Sequence, residues 1–299
     1  MVLHKEILLN ILDYFVYICE QNNLKYYLAG GSVLGAVRHK EMIPWDDDID
    51  VYMPRKDYQR LQQLPSQIWG KDFRLAFFRN TPNYRYDFIK IELLNTTLIE
   101  RFHPDYVGGV FLDVFPLDIV TEDEVQRHIQ LQKIKRLSKI YKLSYLHNDC
   151  DCQCIFELIK VKWMRFMNRS PRVLEKWEEI ASMYNEDKEN SLIVDYHSPW
   201  MHRPMPVSYI GEGTLLEFEG KKYVVPSQYD AYLKHVYGDY MKLPPKEKQV
   251  GHAFDYVNYD RRISNDEICH IFNELHKKYS YKITLKSEVK YILKKLHLR

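Results

Sequence analysis

The chain has 299 residues, 45% apolar and 28% charged, an ordinary balance for a globular protein that can bury one large core or two smaller ones. With 43 basic against 41 acidic residues the formal charge is +2, which excludes a general nucleic-acid binder and makes any basic partner site a local one. No run is apolar enough to span a membrane, no secretory-signal pattern opens the chain, and five cysteines fit a reducing compartment, so the expected location is the cytoplasm. The first element is a helix, since Leu3, Ile7, Leu8, Ile11, Phe15, Ile18 and Cys19 recur at helical spacing and Asn22-Asn23 stop it. Residues 26–29 then read as a short strand running into Gly30-Gly31-Ser32 and a helix over 33–38. Two glycines let the backbone approach a ligand closely, Ser32 is placed to cap the helix, and the first-turn N–H groups form a phosphate site.

After Trp45 comes Asp46-Asp47-Asp48-Ile49-Asp50-Val51, which as a strand sets Asp48 and Asp50 on one face. Two such carboxylates repel unless a cation lies between them, and oxygen ligands suit Mg²⁺, or Mn²⁺, better than Zn²⁺. Asp46 is an outer ligand in this reading. A helix over 57–64 follows, ended by Pro65, and then strands over 73–78, 88–93 and 97–101. In the middle strand Lys90 alternates with Ile89 and Ile91, so on the cleft side its ammonium would meet a diphosphate. Gly108-Gly109 turn the chain into an apolar strand over 110–115 with one acid at its centre. Asp113 would be costly to bury unpaired, which makes it the third metal-site acid, either holding Mg²⁺ or accepting the proton of an attacking hydroxyl. Asp118, after Pro116, reads as a turn or cap residue.

The string GGSVLGAVRHKEMIPWDDDIDV resembles the LicD family of phosphocholine transferases, relatives of fukutin with a nucleotidyltransferase fold, and FLDVFPLD and YGDYMKLPP resemble later segments of that family. The resemblance implies Mg²⁺-dependent transfer of phosphocholine from CDP-choline, or a similar alcohol phosphate from a related CDP-alcohol, to a sugar hydroxyl, with CMP released. The acceptor would be a cell-surface glycan such as lipopolysaccharide or a teichoic-acid precursor, growing on a lipid carrier. A nucleotidyltransferase acting on a small molecule or RNA end shares the turn and the acids, and a non-catalytic nucleotide-binding protein is the remaining alternative. The expected fold is α/β (α+β), a nucleotidyltransferase-type mixed sheet flanked by helices, with the catalytic core in residues 1–120.

From Thr121 the pattern turns helical. Thr121 and Glu124 make a capping box, helices follow towards His147, over 155–167 and from Pro171 to Tyr184, and residues 121–209 read as a helical subdomain. Its Lys160, Lys162, Trp163, Arg165 and Arg169 are candidates to face a lipid-linked acceptor. Cys150, Cys152 and Cys154 beside His147 read as reduced thiols without a second ligand pair. Residues 210–299 complete the core and the cleft, beginning with a hairpin of 215–218 and 222–225 and a helix capped by Ser227 that reaches Tyr237 and Gly238. In the resembling family the next stretch lies by the substrate, and Tyr237, Asp239 and Tyr240 suit a quaternary ammonium group. Arg38 and His252 are candidate phosphate contacts. Residues 282–299 make an amphipathic helix, Leu285, Val289, Ile292, Leu293 and Leu296 against Lys286, Lys290, Lys294, Lys295 and Arg299, suited to peripheral contact at the inner membrane face.

Overall fold

Helix α1 (Val2–Gln21) buries Leu8, Ile11, Phe15, Ile18 and Cys19 of the expected stripe together with Leu12, while Leu3 is exposed and Ile7 partly buried, and Asn23 ends it in the left-handed region at φ +50°. The structure is a computed structural model that describes residues 2–84, 86–100, 106–142, 155–167, 172–187, 189–197 and 203–279. The Cys150, Cys152 and Cys154 cluster, Arg169 and the segment 282–299 lie outside these. Strand β1 (Tyr27–Leu28) leads into α2 (Gly30–Arg38), and β2 (Asp50–Pro54) into α3 (Arg55–Gln63). Then come β3 (Phe73–Ala76), β4 (Ile89–Leu93), β5 (Thr97–Ile99) and the ten-residue β6 (Phe111–Val120).

The main sheet runs β1-β2-β6-β4-β3, with β2 and β6 parallel and the other neighbours antiparallel. This is the mixed sheet flanked by helices that was expected. Strand β6 passes through Pro116 because β4 ends at Ile89, opposite Val114, so no ladder partner waits on that side for the missing N–H. Its last residues, Asp118 to Val120, pair with β7 (Leu192–Val194), which carries β8 (Met205–Pro206). One strand therefore serves two parts of the molecule.

Helices α4 (Glu124–Tyr141), α5 (Ile155–Met167) and α6 (Arg172–Ala181) follow, and Val120, Ile134, Trp177, Ala181, Val194 and Tyr196 share a small core. The cap of α4 is Asp123, whose carboxylate accepts from the N–H groups of Val125 and Gln126, while Thr121 accepts from Asp123 instead of capping the helix itself. Lys160, Lys162 and Trp163 are exposed on α5. Asp118 is a further departure from the sequence reading. It is fully buried, held bidentately by Arg55 at 2.7 and 2.6 Å and by the Asn185 amide at 2.7 Å, and Arg55 also reaches Glu178 of α6 at 3.2 Å. So apolar a stretch of β6 can hold an acid only with such partners.

The chain then forms α7 (Val207–Ile210), the hairpin β9 (Thr214–Phe218) and β10 (Lys221–Val225), and α8 (Tyr229–Tyr237). Glu219 and Gly220 both sit at positive φ, the two-residue turn that matches strand twist. Ser227 does not cap α8; its hydroxyl accepts from the Gly213 N–H. Strand β11 (Tyr256–Asn258) pairs with β5, and α9 (Asn265–Tyr279) follows. Among the described residues no helix is long and apolar enough to cross a membrane.

Candidate active site

The register of three strands draws a line across the sheet. Asp50 stands opposite Asp113, Asp113 opposite Lys90, and the Ala29 N–H bonds to the Asp50 carbonyl at 2.9 Å. Residues paired in this way project from the same face, so the end of β1, the two acids and the lysine share one row. Lys90 is 2% exposed, bonded to Asp113 Oδ1 at 2.8 Å and Glu100 at 3.1 Å, with the Phe111 and Tyr86 rings against its ammonium. It lies on the expected side, yet its charge is committed to these carboxylates and does not stand open for a diphosphate. In so dry a place an unpaired ammonium would be costly, and the two acids remove that cost.

The glycine turn is built differently from its sequence reading. Helix α2 starts at Gly30, which has φ +49°, and its preceding residue Ala29 offers no side-chain cap. Ser32 instead accepts the Asp50 N–H at 3.1 Å, tying the helix to the acid strand. The Gly30 N–H goes to the hydroxyl of buried Tyr232 at 2.9 Å, so this amide is not open to phosphate. Gly31 is close-packed, but on an acid: a Cβ there would lie 2.6 Å from Asp46 Oδ2.

Electrostatically the site is an overload of negative charge. Asp46 and Asp48 share a hydrogen bond, and burial followed by the Asp46 charge pushes Asp48 up to about 7. Asp113 is also pushed up to about 7, by burial against the opposing pull of Lys90. Asp50 is driven well up by burial and then by Asp48 and Asp113. His252 meets Asp47 at 2.8 Å and Asp48 at 3.5 Å, and the Asp47 bond chiefly raises its pKa to about 9. Its grip on the loop is therefore complete below the ordinary histidine range and is lost as pH rises through about 9. A donor set of crowded carboxylate oxygens fits a hard divalent cation, and Asp47, Asp48 and His252 offer ligand atoms within 4.8 Å of one another.

The remaining candidates divide. Tyr237, the last residue of α8, is exposed as a side chain, while its hydroxyl pKa is raised by desolvation first and then by Tyr232, Asp50, Asp46 and Asp48. Arg38 donates to the Tyr240 carbonyl at 2.9 Å and lies 6.0 Å from the Trp45 ring, bracing this turn. Tyr240 is buried with its hydroxyl on Asp230 at 2.8 Å, so it does not face a ligand, and Asp239 is exposed on the turn.

The family model described as LicD/FKTN/FKRP, nucleotidyltransferase domain, matches residues 23–173, a span that holds the turn, Asp48, Asp50, Lys90 and Asp113. The lipopolysaccharide cholinephosphotransferase LicD of Haemophilus influenzae is 31% identical over 263 residues, 82% of this chain and 92% of that protein. The chain belongs to the LicD family. It is a transferase. The ribitol 5-phosphate transferase FKRP of human and mouse is 43% identical over 77 residues, covering 22% of this chain and 16% of FKRP.

Sequence reasoning missed several residues of this LicD-family site. His4 donates from Nε2 to the Asp47 carbonyl at 2.8 Å, Tyr232 holds the turn, and Glu100 shares Lys90. His4 and Tyr232 are remote in sequence from what they touch, Glu100 sits ten positions past Lys90 and just after β5, and a lone His, Tyr or Glu carries no local signal. The packing of Gly31 leads to a definite expectation. Gly31→Val displaces Asp46 and with it the bonded Asp48, so Mn²⁺ affinity and donor affinity should fall together by roughly tenfold or more. Calorimetry with Mn²⁺ alone and with a CDP-alcohol checks this, and an unchanged Mn²⁺ affinity would separate the turn from the acids.

Proposed function

We propose that the protein transfers phosphocholine, or a similar alcohol phosphate, from its CDP derivative to a sugar hydroxyl of a cell-surface glycan carried on lipid, releasing CMP. The observation that carries the reading is the row of Ala29, Asp50, Asp113 and Lys90 beside the glycine turn, in a chain whose Haemophilus relative is named for lipopolysaccharide cholinephosphate transfer. Asp48 and Asp50, with Asp113 beside them, would hold Mg²⁺ or Mn²⁺. When bound, the ion would supply positive charge against the negative charge developing on the phosphoryl oxygens. Lys90 keeps Asp113 oriented through Oδ1, leaving Oδ2 to take the proton of the attacking hydroxyl. Ser32 fixes the acid strand to α2, and Tyr237, within electrostatic reach of Asp50, Asp46 and Asp48, is placed to face the bound donor.

Incubation with CDP-choline and Mg²⁺ tests this directly. CMP should appear in step with phosphocholine transferred to glycan or to water, and a chelator should stop it. Release of pyrophosphate from CTP, with the nucleotide retained on the product, would overturn the reading in favour of a nucleotidyltransferase.

A further inference from the structure

Beside the acid loop lies a cleft of about 690 Å³, walled by α1, residues 41–47 and residues 251–259. Half of its apolar lining is aromatic, Trp45, Phe254 and Tyr259 beside Met42, Ile43 and Pro44, with the His4 ring 5.8 Å from Phe254 and 5.6 Å from Tyr259 between centres. Three carboxylates line it as well, Glu41, Asp46 and Asp47. Of its two cations Lys5 is held by Glu219 at 2.6 Å and His252 offsets Asp47 at 2.8 Å, which leaves Glu41 and Asp46 as the surplus acids. A phosphate or a nucleoside diphosphate would therefore meet surplus negative charge there. Ring faces combined with surplus carboxylate are the chemistry that holds a cation lacking strong hydrogen-bond donors.

We propose that this cleft receives the quaternary ammonium group of the transferred alcohol, and that Trp45, Phe254 and Tyr259 set the choice of donor. The inference rests on the phosphocholine reading above and adds where the cationic head lies. The placement is consistent with the acids: Asp46 lines the cleft and is hydrogen-bonded to Asp48, so a short alcohol on a phosphorus held at Asp48 and Asp50 extends into the aromatic walls. The turn after α8, which its composition recommended for this role, has the Tyr240 hydroxyl committed to Asp230 and leaves the cleft as the better aromatic site.

The test uses the full chain with Phe254→Leu and Tyr259→Leu, singly and together, which remove ring faces but keep apolar bulk. Choline itself is titrated by calorimetry, beside its uncharged carbon analogue, and KM for CDP-choline and inhibition by CMP are measured in parallel. The double variant should weaken choline binding and raise KM for CDP-choline roughly tenfold, with inhibition by CMP unchanged. The uncharged analogue should bind more weakly than choline to the wild type. Unchanged choline affinity in a folded variant overturns the proposal, and so does an equal loss of CMP inhibition, which would make the cleft a nucleotide site. Should the double variant fail to fold, Trp45→Leu on another part of the wall gives the same readouts. If the wild type binds choline in the cleft yet never turns over CDP-choline, the transferase reading fails while the cleft assignment stands.

Discussion

Asp50→Asn is expected to lower turnover by about 10³-fold or more while leaving the protein as stable as before, or slightly more so, in the absence of metal. Asp50 is crowded by Asp46, Asp48 and Asp113, which together with burial drive its carboxyl well above the usual range. A neutral amide relieves that repulsion, so the metal-free fold loses nothing, whereas transition-state charge loses its counterweight. Steady-state turnover of CDP-choline and thermal unfolding in chelator are the two measurements. Retention of a tenth or so of wild-type turnover would remove Asp50 from the site. Asp113→Asn should behave differently, losing activity and stability together, because it strips Lys90 of its nearer partner and leaves a buried ammonium with Glu100 alone.

The largest stability effect is expected away from the chemistry. Arg55→Leu leaves Asp118, fully buried, with only the Asn185 amide, a situation that costs about 3–5 kcal/mol when one member of a buried pair is removed. Denaturant unfolding followed by fluorescence measures it. The double variant Arg55→Leu with Asp118→Leu should recover much of the loss, since two apolar residues pack where one orphaned charge cannot. A loss below about 1 kcal/mol for the single change would show that water reaches Asp118.

The parts of the fold that could be read in the sequence are those whose cause is local. Helix α1 follows from its stripe, and β2 and β6 from apolar runs around Asp50 and Asp113, but β2 begins only at Asp50, so Asp48 lies in the loop before it and not beside Asp50 on one strand face. What stayed hidden is decided by atoms far off in sequence. The period of β4 placed Lys90 on the right side but could not reveal Asp113 opposite it. His252 and Asp47 are 205 positions apart, and His4 and Asp47 are 43 apart. Asp118 looked like a cap because its partner Arg55 lies 63 positions upstream. The caps failed for a subtler reason: Ser32 and Thr121 each stood near a helix start, and only the path of the backbone decides which hydroxyl or carboxylate meets a free N–H.

The loop that carries Asp47 is gripped from two directions, by His4 near the beginning of the chain and by Gly251 and His252 far along it, where a Cβ on Gly251 would lie 2.5 Å from Asp47 Oδ2. During synthesis the acids leave the ribosome early, some two hundred residues ahead of the segment that fixes them. His4 is present before Asp47 is made, but the His252 contact waits for the later segment, and contacts of such long range form late. The loop thus takes its second hold from residues made some two hundred positions later, so a change at Gly251 or His252 bears on the acids as directly as one beside them.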